Sequence, residues 1–323
     1  MRVLVTGGLG FLGHAVVRQL VDEGHEVTAL TSRPDAKSLV VEASTAHADI
    51  RDRGALAQVL ADVDPEGICH LAALTRVRDS FEDPLSFFDV NVGGTIALLG
   101  ALKDASRPPT PIVFASTGAV YGPAEGRISE DHPTNPTNPY GASKLGAEQL
   151  LGYHAATGAI GVTALRCFNI AGAVDGVGDT DLTRIIPKAL AVAAGKAAKL
   201  TINGDGSAIR EFTHVADIAA AVARAIGTTT PGSSKLYNVG SGIESRMLQV
   251  IKAVETVTGR EVVREESPAK SEAKILMADS TSARTDLRWS PNQSDLRLII
   301  EDAWRSQLKD IDQSPPNIVT LQS

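Results

Sequence analysis

The sequence predicts an α/β protein, a doubly wound parallel sheet followed by a smaller C-terminal α/β lobe. Three observations carry this. Short apolar runs of β character alternate with helical patterns through the first half. A glycine-rich turn joins the first of these strands to the first helix. After Phe168 the alternation lapses, and a Gly/Asp-rich loop over residues 172–181 opens a segment of different rhythm.

The elements follow in order. Residues 3–6 read as a strand, 11–23 as a helix stopped by Gly24, and 27–30 as the next strand. Residues 68–72, 112–116 and 162–168 are apolar runs of the buried parallel type, and 84–104 reads as one long helix. Strand–helix alternation implies right-handed crossovers and a sheet covered on both faces. Beyond the loop, the pattern predicts a helix over 182–195 and a strand pair at 200–202 and 209–212. A helix over 215–226 and a strand at 236–239 returning to the main sheet follow. Next come a helix over 247–258, strands near Val262 and at 275–277, and a final helix over 295–308. The expected division is a dinucleotide-binding part, 1–170 with a return segment near 213–242. A substrate lobe would comprise 171–212 and 243–308, and a loosely held tail 309–323. No repeat of 20–50 residues is visible.

Composition excludes several classes. With 31 basic against 38 acidic residues the net charge is −7, and no basic stripe appears, so nucleic acid is not an expected partner. An anionic substrate would then be held by a few local arginines. Cys69 and Cys167 both lie in apolar runs and read as reduced core residues. No signal peptide and no stretch of membrane-spanning length are expected, which predicts a cytoplasmic protein without membrane contact. The histidines lack metal-ligand spacing, so no metal is predicted. His14 and His70 read as packing residues, and His214 reads as a helix cap ahead of Asp217.

The run Thr6-Gly7-Gly8-Leu9-Gly10-Phe11-Leu12-Gly13 follows a strand and opens a helix. Gly7, Gly10 and Gly13 let the chain turn sharply and bring backbone close to a pyrophosphate, which the helix N-terminus then faces. This is the Rossmann-type dinucleotide signature. At the end of the second strand, Thr31-Ser32-Arg33 carries no carboxylate for ribose hydroxyls. Thr31 and Ser32 can donate hydrogen bonds and Arg33 can pair with a phosphate, which favours NADP(H) and leaves NAD open.

Tyr140 and Lys144, four residues apart on a predicted helix, share one face. A phenol that works as a base near neutral pH needs its anion stabilised by roughly 4 kcal/mol, and an adjacent ammonium supplies part of that. Thr117 stands at the C-terminal end of the strand over 112–116, in the crevice where such sheets bind ligands. Ser116, one residue earlier, points to the other face and reads as structural.

With these motifs the chain resembles the extended short-chain dehydrogenase/reductases, and among them the UDP-galactose 4-epimerase-like enzymes, from residue 1 to about 308. Further matching runs are Ala48-Asp49-Ile50-Arg51-Asp52, His70-Leu71-Ala72-Ala73, Asn91-Val92-Gly93-Gly94-Thr95, Arg166-Cys167-Phe168-Asn169 and Arg210-Glu211-Phe212-Thr213-His214-Val215. The resemblance implies that Asp49 and Ile50 border the adenine and that Leu71, Ala72, Ala73 and Phe168 line the cofactor channel. Asn91 would support the site's backbone. Lys144 would bind the nicotinamide ribose, and Thr117 would hydrogen-bond the reacting hydroxyl. Asn169 and Arg210 would contact a diphosphate, and Arg184 a phosphate or uridine.

The implied activity is nucleotide-sugar 4-epimerisation through a 4-keto intermediate, with homodimers formed through helices 84–104 and 140–158. Dehydratases of the family carry Asp-Glu after the threonine; here Gly118-Ala119 supplies no proton donor. One departure is that Pro268-Ala269-Lys270-Ser271-Glu272 stands where an arginine of the diphosphate clamp is expected, leaving Lys270 or Arg184 to compensate. The alternative activity is an NADP(H)-dependent reductase or dehydrogenase of a nucleotide sugar or specialised metabolite. A cofactor-sensing regulator is hard to reconcile with an intact Tyr-Lys-Thr set.

Overall fold

The computed structural model describes residues 1–268 and 273–312, with the side chains of 309–312 left aside. Seven strands form the central sheet: β1 (Arg2–Thr6), β2 (Glu26–Thr31), β3 (Ser44–His47), β4 (Gly67–His70), β5 (Thr110–Thr117), β6 (Ile160–Cys167) and β7 (Ser234–Val239). Their spatial order is β7-β6-β5-β4-β1-β2-β3, every pair parallel. The order reverses between β1 and β4, which opens a crevice at their C-terminal ends. β3 escaped the sequence reading because Ser44-Thr45-Ala46-His47 is a polar edge strand with no buried residue.

Side chains alternate between two cores, as a pleated strand requires. Val3 and Val5 of β1 and Val113 of β5 face α1 (Phe11–Asp22) and the helix Val215–Thr228. Leu4, Ile112 and Phe114 face α2 (Arg53–Val63), α3 (Gly94–Asp104) and α4 (Pro139–Ala155). Each such fully buried Val, Leu or Phe stabilises the sheet by about 1.5–3 kcal/mol.

The expected single helix over 84–104 is a short helix, Pro84–Phe88, a π turn over Asp89–Gly93, and α3. Together they span Pro84–Asp104, in which an 18-residue window has mean hydropathy 1.5, enough by length and composition alone to cross a membrane, where the sequence reading expected no stretch of that kind. Half of that window is buried. α3 packs on α2, and Phe87 sits edge-on to Tyr140.

The smaller lobe gathers α5 (Ile185–Ala193), the helix Met247–Thr258 and the helix Leu296–Asp312 around Ile186, Leu190, Val250, Val254 and Ile300. Its strands pair otherwise than expected. Leu200–Asn203 joins Arg264–Ser267, while Ile209–Glu211 lies between Glu244–Arg246 and Ile275–Ala278. These are long-range pairings, so adjacency in sequence misleads. A two-stranded hairpin, Ala173–Val174 with Val177–Gly178, was not predicted. The last helix runs to Asp312 instead of ending at Leu308. The rest of the predicted tail and the 269–272 part of the altered clamp element, with Lys270, lie outside the described residues.

Candidate active site

The turn after β1 shows why its glycines are required. Gly7 has φ +70° and lies so close to Ala72 that a Cβ would stand 2.9 Å from that residue's Cα. At Gly13 a Cβ would fall 2.0 Å from the Gly7 carbonyl oxygen. Helix α1 begins after Gly10 without a side-chain cap, so its first-turn N–H groups stay available to an anion. A dinucleotide fits this arrangement: backbone cleared of Cβ atoms, open N–H donors, and a cavity of ≈ 1350 Å³ beside them.

That cavity runs along the C-terminal edge of the sheet. It is lined by Gly7, Gly10, Phe11, Leu12, Gly13, Thr31, Ser32, Arg33, Asp49, Ile50, Leu71, Ala72 and Ala73 on one side, and by Thr117, Tyr140, Lys144, Phe168, Asn169, Arg184 and Arg210 on the other. Of the predicted site residues Asn91 alone does not line it. Asn91 is buried behind the wall, in the π turn. Its amide nitrogen donates to the Leu74 carbonyl at 3.1 Å and to Ser143 Oγ at 2.9 Å, and its oxygen accepts from Leu74 N at 2.8 Å. It holds the Leu74 backbone in place and does not line the cavity.

At one end of the cavity, Asp49 and Arg51 form a close pair, and the guanidinium holds the Asp49 carboxyl down to about 2. Arg33 lies across the glycine-rich turn, its Nη2 donating to the Leu9 carbonyl at 2.8 Å, while Thr31 Oγ1 accepts from Arg33 N at 3.2 Å.

At the other end, Asn138 caps α4 by accepting from Gly141 N at 2.8 Å, and Pro139 occupies the first turn. This fixes Tyr140 at the helix start, facing the end of β5. Thr117 stands near enough to the phenol to lower its pKa, and its Oγ1 accepts from Ala119 N at 3.2 Å. Lys144 is buried one turn on, its Nζ 4.0 Å from the Phe114 ring centroid.

Burial raises the Tyr140 pKa, against the lowering influence of Thr117 and then Arg184. Burial also pushes Lys144 down to about 7, with Cys167 and Glu148 opposing. The expectation that an adjacent ammonium helps to stabilise the phenolate is therefore not met in the protein by itself. Desolvation outweighs the neighbouring charge at both groups.

The polar residues behind the wall are structural, as read from sequence. Ser116 Oγ donates to Glu148 at 2.6 Å, and Arg166 pairs with the same carboxylate at 2.5 Å. His70 Nδ1 meets Thr6 Oγ1 at 2.9 Å and Nε2 meets Thr95 Oγ1 at 3.0 Å; burial, then Lys144, brings its pKa to about 3. His214 Nδ1 accepts from Ala216 N at 3.1 Å and so caps its helix. Both cysteines are free. Cys167 is not a plain core residue, since it lines the cavity; burial pushes its thiol up to about 12, which keeps it protonated.

Further along the cavity, Asn169 (φ +30°) donates to the Glu211 carbonyl at 2.9 Å. Arg210 Nη1 donates to the Ile209 and Ala273 carbonyls at 2.8 and 2.9 Å while still lining the cavity. Sequence reasoning passed over Asp179 and Asp181, which line the cavity and hold Arg184. Their one signal was the Gly/Asp-rich loop, which reads equally well as a plain turn.

The glycine-rich turn and the Thr117, Tyr140 and Lys144 group, on one edge of one parallel sheet, define an enzyme of the short-chain dehydrogenase/reductase type. The chain belongs to the NAD dependent epimerase/dehydratase family, whose model matches residues 3–240. It is 38% identical over 319 residues to UDP-glucose 4-epimerase of Lacticaseibacillus casei, covering 94% of this chain and 96% of that one. To UDP-glucose 4-epimerase of Corynebacterium glutamicum it is 35% identical over 316 residues, covering 94% and 95%. It superposes with TM-score 0.89 and 32% identity on UDP-glucose-4-epimerase from Stenotrophomonas maltophila, solved with bound NAD and formylated UDP-arabinopyranose, over 97% of this chain and 100% of that one.

Proposed function

We propose that this protein is a nucleotide-sugar 4-epimerase of the UDP-glucose/UDP-galactose type. The observation that carries the reading is the convergence of Thr117, Tyr140 and Lys144 on the dinucleotide cavity, followed by Gly118-Ala119 in place of an acid pair. The curated relatives named above carry this activity over nearly the whole chain.

Bound in the cavity, the nicotinamide would supply a reversible hydride acceptor and a positive charge near the phenol. Tyr140, as phenolate, takes the proton from the sugar 4-hydroxyl and returns it once the 4-keto sugar has turned over. Thr117 fixes the hydroxyl between itself and Tyr140. Lys144 holds a ribose hydroxyl and favours the phenolate. Gly118 must stay small: a Cβ there would meet the Phe168 ring at 2.9 Å, so this wall admits no dehydratase carboxylate without moving Phe168. Asn169, Arg184 and Arg210 provide polar contacts for the nucleoside diphosphate. In this reading 1–170 and 213–242 serve the cofactor, and 171–212 with 243–308 serve the substrate.

Incubation with UDP-glucose or UDP-galactose, and product separation by chromatography, tests the proposal. Interconversion without net change in nicotinamide absorbance is the expected result; no interconversion of any UDP-hexose sinks it. Turnover-linked absorbance change would support the reductase alternative.

The family description and the S. maltophila complex support NAD as the cofactor. The phosphorylated form rests on Thr31-Ser32-Arg33, a strand end without a carboxylate. We infer that Arg33 lets the site accept a 2′-phosphate by turning its guanidinium from Leu9. Arg33→Ala should then weaken NADP binding about tenfold and NAD binding less than twofold. Equal losses for both would refute that role.

Homodimerisation is proposed through the Pro84–Asp104 path and α4. Leu85 (80% exposed), Phe88 and Ile96 are exposed on that path, Tyr153 (79%) is exposed on α4, and Phe81 is exposed on the helix Val77–Glu82 just before them. Two unpaired cysteines suit a reducing compartment such as the cytoplasm.

A further inference from the structure

The nucleotide-sugar reading leaves Asp179 without a role, and the inference drawn here rests on that reading. Asp179 follows the unpredicted hairpin and projects into the substrate half of the cavity, where Arg184 stands at the start of α5. Arg184 Nη1 donates to Asp179 Oδ2 at 3.0 Å, and Nε lies 3.5 Å from Asp181 Oδ2. The two partners are unequally fixed. The Asp179 side chain is 12% exposed, and its Oδ1 accepts from Asp181 N at 3.0 Å. Asp181 in turn is tied by Thr183, which donates to it from N and Oγ1 at 2.9 and 2.7 Å. Arg184 is 41% exposed and its side chain has the room to swing.

We propose that Asp179 sets the affinity for the substrate's diphosphate by competing with it for the Arg184 guanidinium. The donors that Arg184 gives to the two carboxylates are the ones a phosphate would take, since guanidinium meets carboxylate and phosphate through the same planar fork. A diphosphate must draw the guanidinium off a fixed carboxylate and then sit near that carboxylate at like charge. A neutral nucleoside leaves the pair intact. Asp179 is thus a filter that weakens binding and makes it depend on the charge of the incoming group. With one partner nearly half exposed to solvent, its effect on affinity falls in the range of a partly screened ion pair, about two- to fivefold.

Calorimetric titration of UDP and of uridine into the wild type, D179N, R184Q and the double variant tests this. D179N is nearly isosteric and keeps an acceptor for Asp181 N; D179S provides a second variant with the same expectation. D179N should tighten UDP about two- to fivefold and leave uridine unchanged, and it should have no effect on UDP in the R184Q background. Unchanged or weaker UDP binding in both Asp179 variants, or equal shifts for UDP and uridine, would overturn the proposal while leaving the epimerase reading intact. A wild type that binds no UDP at millimolar concentration would overturn both.

Discussion

At the residue scale, Tyr140 and Lys144 separate what spacing says from what environment does. The four-residue spacing placed both on one helical face, and the structure keeps them on one cavity wall. Their ionisation was not legible, because it depends on desolvation by Phe114, Phe87 and the surrounding strands, which are distant in sequence. Replacing Tyr140 by Phe removes the proton acceptor without changing volume much. The expected loss in kcat is about a thousandfold with little change in KM, read by steady-state epimerase kinetics.

Lys144 yields a prediction that needs no substrate. Its pKa is about 7 in the folded protein against 10.5 ordinarily, so between those values the unfolded chain binds the extra proton. Stability should therefore rise as pH increases from about 7 towards 10.5, and this contribution should be flat below 7. Denaturant titrations across pH 6–10 should show the rise in the wild type and lose that part of it in Lys144→Met. Identical pH dependence in the two proteins would contradict the burial argument.

At the element scale, the strands of the parallel sheet were readable because buried strands are continuous apolar runs; β6 is buried at all eight residues. The polar edge strand β3 gave no such run. The break in 84–104 was hidden because a π turn needs no proline or glycine signal of its own; here it places Asn91 against Leu74 and Ser143. The glycine-rich turn is the element where sequence and structure agree most closely. Gly13→Ala would force apart α1 and the turn, since the added methyl meets backbone and not a movable side chain. The expected result is a stability loss of about 1–3 kcal/mol by chemical denaturation, together with loss of dinucleotide binding by fluorescence titration.

At the scale of the whole molecule, Val77, Phe81, Leu85, Phe88, Ile96 and Tyr153 are large apolar residues left exposed on Val77–Glu82, Pro84–Phe88, α3 and α4. Covering them with a second copy removes them from water. Leu85→Asp combined with Tyr153→Asp should convert a dimer to a monomer in sedimentation equilibrium, with the melting temperature lowered and dependent on protein concentration in the wild type. A wild type that sediments as a monomer at micromolar concentration would rule the interface out. The small lobe was the least legible region. Its short strands pair with partners more than 30 residues away, and their register follows from how three helices pack around Ile186, Val250 and Ile300.

By itself the sequence determined the α/β class, the dinucleotide turn, the Thr117, Tyr140 and Lys144 set and the absence of a dehydratase acid pair. Each of these is written in local spacing or in residue identity. Only the tertiary structure decided which way the ionisations lean, that Asn91 stands behind the wall, and that Asp179 and Asp181 grip Arg184. Burial and charge pairing are sums over neighbours brought together by folding, and no stretch of chain contains them.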